Sequence, residues 1–416
     1  MGVSKRQWQV VMLYGATVAG VVLGFVASII NTDTLNVDDY GSVRYVQNII
    51  QFIASLLLFG YFLSGSRLLA LSQEETRSRR IRGAMIIVLA ACSLLLIAGI
   101  LAAAYMHKSL NVLSAHKEMY ALFLVSVPVC FYPLFLNYIN TTAQGDNHIF
   151  RLSMARLLPA LIYVLLANCI YGLWGASPSH IIIAQWGIYS IVLLIIILST
   201  KVSFKGQKTI FEELNQENRN YGFLLYLGSL AMVATNYIAG ITLGLFNDDK
   251  SNVGFYTLAL NLTNPLAYLP GIIGTTYFRR FSTQRMIPAS VMRNTILLTV
   301  LSCVCFIIAI RPVVSFLYKP EYDKVGIYAS WMSVGFCIHG IGDMLNRFLG
   351  SHGQGKPILV SSIACGVVKV SGFIFLVWIW NIEGALITNV ASSTIYFVVL
   401  LIYYKKHIGD VSLPLA

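Results

Sequence analysis

The chain has 416 residues, of which 57% are hydrophobic and only 11% are charged. About a quarter of the residues in a typical soluble domain are charged, so this composition excludes an ordinary water-soluble globule. The net charge of +12 is distributed over short segments between apolar runs, which argues against a nucleic-acid-binding surface.

Apolar runs of roughly 20 residues follow one another along the chain, and a helix of that length crosses the hydrocarbon core of a bilayer. Backbone groups in lipid must bond within their own segment, which favours helices over loops or open strands. The predicted fold is therefore all-α and polytopic. Its twelve spans lie at residues 8–30, 42–65, 83–105, 119–141, 157–174, 181–200, 221–246, 254–278, 294–317, 326–349, 358–380 and 385–404.

The longest break of mixed charge is KVSFKGQKTIFEELNQENRN (201–220), and six predicted spans lie on each side of it. This division predicts four parts. They are an N-terminal six-helix bundle at 1–200, a cytoplasmic linker at 201–220, a C-terminal six-helix bundle at 221–404 and a cytoplasmic tail at 405–416.

The two halves repeat a polar pattern. Each half carries three polar residues at i, i+4 and i+7, which places them on one helix face. The two sets are Arg44, Asn48 and Gln51 in span two, and Thr257, Asn261 and Asn264 in span eight. An even number of spans per half keeps the repeats parallel, which predicts two pseudo-symmetric bundles.

Lys and Arg are unevenly shared between the two sides of the predicted membrane. Twenty of the 29 basic residues lie in loops on one side and in the termini, whereas five lie in the opposite loops. Basic loops stay in the cytoplasm, so both termini are expected there.

Asp343 is the one acidic residue that lies inside a predicted span. His339 precedes it by four residues and Arg347 follows it by four, so the three share a helix face. A charge at the bilayer centre costs about 2.5–3.5 kcal/mol, and it therefore needs a partner or water. Two interpretations remain open: a local Asp–Arg pair, or a titratable site that couples ion movement to conformational change, with His339 taking part or only packing.

Lys369 lies near the middle of span eleven, where its side chain is far from either interface. This position predicts a cation that lines a central cavity and holds an anion, with an ion pair to Asp343 as the structural alternative. The polar stripes of spans two and eight are either hydrogen bonds between helices or the walls of a shared aqueous cavity. Their repetition in both halves favours the cavity.

Motifs of catalysis are absent from the sequence. It contains no GxxxxGK[ST], GxSxG or HExxH motif, and its seven cysteines all fall inside apolar runs without metal-ligand spacing. We therefore expect no enzymatic activity, no metal and no cofactor.

Four stretches carry a resemblance to a known family. They are the hairpin and span at 35–73 with YG at 40–41, the equivalent hairpin at 251–282, the turn FLYKPEY (316–322) with the span that follows to 358, and IWNIEGA (379–385) with the last span to 406. In order and spacing they resemble the polysaccharide-biosynthesis flippases, the O-antigen (Wzx-type) transporters of the multidrug/oligosaccharidyl-lipid/polysaccharide superfamily. The chain departs from that family at LLFGYFLSG (57–65), where members often carry an acidic residue.

The resemblance implies two six-helix lobes around a central, often cationic cavity. It also implies alternating-access transport that is coupled to an ion gradient. The expected substrate is an oligosaccharide linked to undecaprenyl (polyprenyl) diphosphate, moved from the cytoplasmic to the periplasmic leaflet of the bacterial inner membrane for O-antigen (lipopolysaccharide) or other surface polysaccharide synthesis. The candidate coupling ions are H⁺ and Na⁺, and a polysaccharide polymerase complex is a candidate partner.

On this hypothesis each polar residue of the spans has an expected role. The diphosphate would be compensated by Arg44, Lys369 and Arg347, and the sugar hydroxyls would be bound by Asn48, Gln51, Asn261 and Asn264. Asp343, with or without His339, would form the ion-coupled switch.

Two other functions fit a twelve-span protein. A multidrug or cation antiporter of the same superfamily would favour acidic residues in its cavity, but the spans offer one carboxylate against several cations. A membrane glycan polymerase or ligase resembles its relatives in having a large external loop with basic catalytic residues, and the longest opposite-side loops here are only about a dozen residues.

Overall fold

The computed structural model describes residues 5–109, 116–233, 235–247 and 249–410. Within these ranges the regular structure is helical and contains no strand. The predicted all-α, polytopic architecture is confirmed, because long apolar runs without water to pair their backbone groups fold as helices.

Two helices of the first half begin at a capping side chain. Asn36 accepts a hydrogen bond from the backbone N–H of Asp39, and Ser177 accepts one from His180 with Pro178 at the first helical position. The helices are α1 (Lys5–Thr34), α2 (Val37–Leu56), α3 (Tyr61–Leu71), α4 (Glu75–Ser109), α5 (His116–Ser126), α6 (Tyr132–Gly145), α7 (Ile149–Trp174), α8 (Pro178–Leu198) and the short α9 (Gln207–Glu217).

The second half continues the helical pattern and ends in an unusually long helix. Its elements are α10 (Phe223–Val233), α11 (Thr235–Phe246), α12 (Ser251–Phe281), α13 (Ala289–Leu317), α14 (Lys324–Ser351) and α15 (Gly355–Asp410). α15 holds both of the last two predicted spans, and its backbone breaks at Asn381, where φ is 54°. The amides of Asn247 and Asn381 donate hydrogen bonds to each other and so tie this break to the end of α11.

Every predicted span coincides with one helix or with a pair of helices. In the described residues, eight helical stretches are long and apolar enough to cross a membrane, or nine if the bent α2–α3 pair is one span. One of these stretches is α15, whose 56 residues at about 1.5 Å each suffice for two crossings. The multi-pass character predicted from hydropathy is therefore supported.

Contacts divide the chain into two compact units, Met1–Tyr237 and Ile238–Ala416. The first unit includes the segment 201–220, the predicted linker, because α9 packs on α3 and α4. Ion pairs join Arg67 to Glu217 at 2.6 Å and Arg77 to Glu213 at 2.8 Å. In the second unit, a buried core forms around Phe348 of α14, Phe281 of α12 and Tyr404 of α15.

The second predicted span is bent by 57° between α2 and α3. Phe59 and Gly60 have positive φ at the bend, and the carbonyl groups released from the helix are bound by side chains. The Tyr226 hydroxyl donates to Leu56 O at 2.7 Å, and the Asn218 amide donates to Phe59 O at 3.1 Å. A Cβ at Gly60 would lie 2.4 Å from Gly222 O, so only glycine fits.

Candidate functional site

The first unit contains a hydrogen-bonded network of uncharged side chains inside its membrane helices. Gln185 of α8 accepts hydrogen bonds at 3.4 Å from Asn31 of α1 and from Gln47 of α2. The Tyr163 hydroxyl of α7 donates to Asn31 and lies 2.6 Å from the Tyr171 hydroxyl. Four helices are thus joined by polar contacts, which satisfy groups that would otherwise be costly in lipid.

Arg44 lies at the end of this network, and its guanidinium is held by two acceptors. Its Nε donates to the Tyr40 hydroxyl at 2.8 Å, and its Nη1 donates to Gln47 Oε1 at 2.9 Å. Arg44 is half-buried, and a guanidinium has five donor hydrogens. The remaining donors of a cation fixed in this way are available for an anion.

The other two residues of the first polar stripe, Asn48 and Gln51, are also half-buried. Gln51 donates a long hydrogen bond of 3.3 Å to Gln47 O. In the described ranges, the Asn48 side chain makes no hydrogen bond with another protein group. These amides therefore retain donors and acceptors for a polar ligand.

In the second unit, the Asp343 carboxylate of α14 is bound by Tyr396 of α15. The Tyr396 hydroxyl donates to Asp343 Oδ1 at 2.9 Å and accepts from Asn346 Nδ2 at 2.7 Å. The Tyr396 ring also stacks on His339, with ring centroids 4.5 Å apart. The predicted helix face carrying His339 and Asp343 therefore meets one tyrosine.

The two cations predicted for this half have different surroundings. Arg347 is exposed and attracts the Asp343 carboxylate, but in the part of the chain that the structure covers no ion pair within 4 Å joins the two. Lys369 is half-buried and interacts electrostatically with His339. The carboxylate is thus held mainly by a neutral hydroxyl, and the Arg347 guanidinium remains accessible.

The second polar stripe lies on α12. Asn261 and Asn264 are half-buried, and neither side chain hydrogen-bonds to another of the described residues. Thr263, which lies between them on another face, is buried and bonds back to Ala259 O at 2.7 Å. The two amides therefore resemble Asn48 in keeping their hydrogen-bonding groups free of protein partners.

Sequence reasoning missed several members of these clusters. Gln185 is a single amide within an apolar run, Asn31 lies just beyond the first predicted span, and no sequence pattern marks the tyrosines. Their partners lie on other helices, so only tertiary contacts identify them. The described residues contain no group of three or more His, Cys, Asp or Glu side chains placed to hold a metal ion.

Comparison with known protein families finds a match over most of the chain. The family described as "Polysaccharide biosynthesis protein" matches residues 8–283, about two thirds of the chain. Among curated proteins, none matches this sequence.

Solved structures that resemble this one are membrane transporters. The lipid II flippase MurJ in an inward closed conformation has a TM-score of 0.72 and 12% identity, with 97% of this chain and 90% of that chain covered. An inward-facing multidrug resistance MATE family transporter of the MOP superfamily has a TM-score of 0.69 and 16% identity, with 95% and 96% covered. A MOP superfamily transporter from Pyrococcus furiosus has a TM-score of 0.55 and 15% identity, with 98% and 95% covered. At these identities the likeness shows the fold.

Proposed function

Because the chain belongs to the polysaccharide biosynthesis protein family, we propose that it is a flippase for an oligosaccharide linked to a polyprenyl diphosphate. It would move this substrate from the cytoplasmic to the periplasmic leaflet of the bacterial inner membrane, with both termini in the cytoplasm. The product would serve the synthesis of O-antigen or another surface polysaccharide. The observation that carries the proposal is the fixed Arg44 guanidinium within a neutral polar network of membrane helices.

The diphosphate is the part of the substrate that lipid excludes most strongly. Arg44 is already held by Tyr40 and Gln47, so it loses little side-chain entropy when it binds a phosphate oxygen. Lys369 and Arg347 supply further positive charge in the second unit. Each unit therefore offers cations to a group that carries negative charge throughout its passage.

The sugar is the second part of the substrate, and it needs hydrogen-bonding partners rather than charge. Asn48, Gln51, Asn261 and Asn264 are half-buried amides, and each amide can both donate and accept. A hydroxyl-rich ligand matches this capacity. The polyprenyl tail is apolar and would remain in lipid.

We propose Asp343 as the residue that couples transport to an ion gradient. Its carboxylate shares the Tyr396 hydroxyl, and protonation of the carboxyl would reverse which oxygen donates that hydrogen bond. A switch between two hydrogen-bond arrangements, with His339 stacked on the same tyrosine, suits a H⁺- or Na⁺-linked conformational change. A polysaccharide polymerase is the expected partner downstream of the flipped substrate.

The multidrug antiporter alternative is favoured by one observation, the fold match to a MATE family transporter. A cationic drug would need carboxylates, whereas the polar residues within the spans include one carboxylate, Asp343, and the cations Arg44, Arg347 and Lys369. Drug-resistance profiling separates the two functions. A flippase should leave drug tolerance unchanged when its gene is deleted.

The test is surface-polysaccharide export in cells that carry variants at matched membrane expression. Arg44→Ala should lower export about 10- to 100-fold, the range for hydrogen bonds to a charged group, while lipid-linked oligosaccharide accumulates. Arg44→Lys should be impaired too, because an ammonium cannot reproduce the planar contacts with Tyr40 and Gln47. Lys369→Ala should also lower export.

The matched control is Lys201→Ala, which removes an exposed cation outside the predicted spans and should export normally. Normal export by both Arg44→Ala and Lys369→Ala would remove these cations from the mechanism and contradict the proposal.

A further inference from the structure

An apolar groove lies between α14 and the last half of α15, entirely within the second unit. Its volume is about 580 Å³, which falls in the range of small-molecule sites. Its walls include Ile327, Trp331 and Val334 of α14 and Val390 of α15. The Trp331 side chain is 64% exposed, so the groove is open on one side.

The groove lies toward the end of the spans that is predicted to be external. Its α14 residues occupy the first turns after Lys324, and its α15 residues follow the break at Asn381. Trp and Tyr are typical of the membrane interface at such helix ends, and both Tyr328 and Trp331 line the groove. An open apolar groove in this position faces the outer part of a bilayer.

The mouth of the groove carries a charge. Glu383 lines it, is exposed and interacts electrostatically with Tyr328. Across the described residues, the Glu383 carboxylate has no ion pair or hydrogen bond within the protein. Lys324 is also exposed and lies one helical turn before Tyr328, on the same face of α14.

From this arrangement we infer that the groove binds the acyl chain of an amine-bearing, zwitterionic phospholipid. The Glu383 carboxylate pairs with the ammonium of the headgroup, Trp331 presents an aromatic ring to the same cation, and Lys324 faces the phosphate. The apolar walls of the groove pack against the acyl chain through van der Waals contacts. This site is independent of the proposed transport function.

Charge complementarity favours this phospholipid over the polyprenyl tail of a transport substrate. A polyprenyl diphosphate would bring negative charge close to Glu383, and a like charge there is unfavourable. An anionic phospholipid meets the same repulsion. A headgroup that carries both an ammonium and a phosphate complements Glu383 and Lys324 together.

The experiment is native mass spectrometry of the purified full-length protein in detergent, with phosphatidylethanolamine and phosphatidylglycerol of identical acyl chains added in equal amounts. The wild-type protein should retain phosphatidylethanolamine over phosphatidylglycerol by about two- to fivefold, the range of an exposed charge pair. Glu383→Gln should abolish this preference. Val334→Trp, which fills the groove, should lower the retention of both lipids without changing their ratio.

The matched control is Glu321→Gln, an exposed carboxylate at the same end of the unit that does not line the groove. It should keep the wild-type preference. A preference that survives in Glu383→Gln would overturn the inference. Displacement of the phospholipid by a polyprenyl phosphate from the wild-type protein, but not from Val334→Trp, would overturn it as well, because the groove would then belong to the substrate's tail.

Discussion

Asp146 and Arg82 form a buried ion pair that the sequence did not predict. Asp146 lies in the loop between α6 and α7, its side chain is 6% exposed, and Arg82 Nε lies 3.2 Å from its Oδ2. Arg82 also donates to Lys201 O and to Glu75. Burial raises the pKa of the Asp146 carboxyl, and the charges of Arg82 and Arg151 offset this only in part. The ionised carboxylate therefore depends on its arginine.

Arg82→Met should destabilise the protein by about 3–5 kcal/mol, because it leaves a buried carboxylate without its closest cation. Folding raises the pKa of the Asp146 carboxyl, so the folded variant binds more protons than its unfolded chain. The free energy of unfolding of the variant should therefore increase as the pH falls toward the acid range. Thermal unfolding of the purified variant in detergent, followed between about pH 8 and about pH 5, measures both effects.

The double variant Arg82→Met/Asp146→Asn serves as the control for this prediction. It should be more stable than Arg82→Met at neutral pH and should lose the added pH dependence, because no carboxylate remains. Equal stability of the single and double variants at every pH would show that the destabilisation does not arise from the buried Asp146 carboxylate.

At the scale of elements, the α2–α3 bend shows what hydropathy could and could not predict. The apolar run predicted one span at 42–65, and the structure places helices there, but LLFGYFLSG contains no proline to indicate a break. The bend persists because Asn218 and Tyr226 bind the released carbonyl groups. These partners lie 159 and 170 residues away along the chain, so no local pattern could reveal them.

Asn218→Ala should therefore destabilise the first unit by about 1–3 kcal/mol, the cost of leaving a buried polar group unpaired. The Asn218 side chain makes its two hydrogen bonds to the bend: it donates to Phe59 O and accepts from the Ser64 hydroxyl, each at 3.1 Å. Thermal unfolding in detergent measures the change. Asn220→Ala, an exposed amide two residues further on, is the matched control and should have almost no effect; a similar loss in both variants would assign the effect to the segment rather than to the capped carbonyl.

The ion pairs of α9 should contribute less than Asn218 does. The side chains of Arg67 and Arg77 are 47% and 43% exposed, and exposed pairs are worth about 0–1 kcal/mol. Residues 201–220 were predicted as a linker because their charges are mixed. The structure shows that Glu213 and Glu217 bind arginines of α3 and α4, a pairing that composition alone does not specify.

For the whole molecule, composition and hydropathy predicted the helical, multi-pass fold because the membrane imposes length and apolarity on each span. The candidate site was less accessible to this reasoning. Arg44, Asp343 and Lys369 were identifiable as charges inside apolar runs, but Gln185 and Tyr396 were not, because their role depends on which helices become neighbours. Whether these residues bind substrate stays a prediction.

The orientation that we propose from the distribution of Lys and Arg can be measured directly. In a variant without the seven native cysteines, we expect Glu321→Cys to react with a membrane-impermeant maleimide in intact cells. Lys205→Cys should react only after the membrane is opened, because its loop lies on the basic side. Labelling of Lys205→Cys in intact cells would contradict the proposed topology.

The reciprocal amides of Asn247 and Asn381 have an evolutionary consequence. Each side chain both donates and accepts a hydrogen bond, so replacing one of them removes both hydrogen bonds of this pair from the other. Asn381 additionally tolerates its positive φ, which few non-glycine residues do. In natural homologues we therefore expect substitutions at these two positions to occur together, and this covariation would mark the joint between the last two membrane crossings.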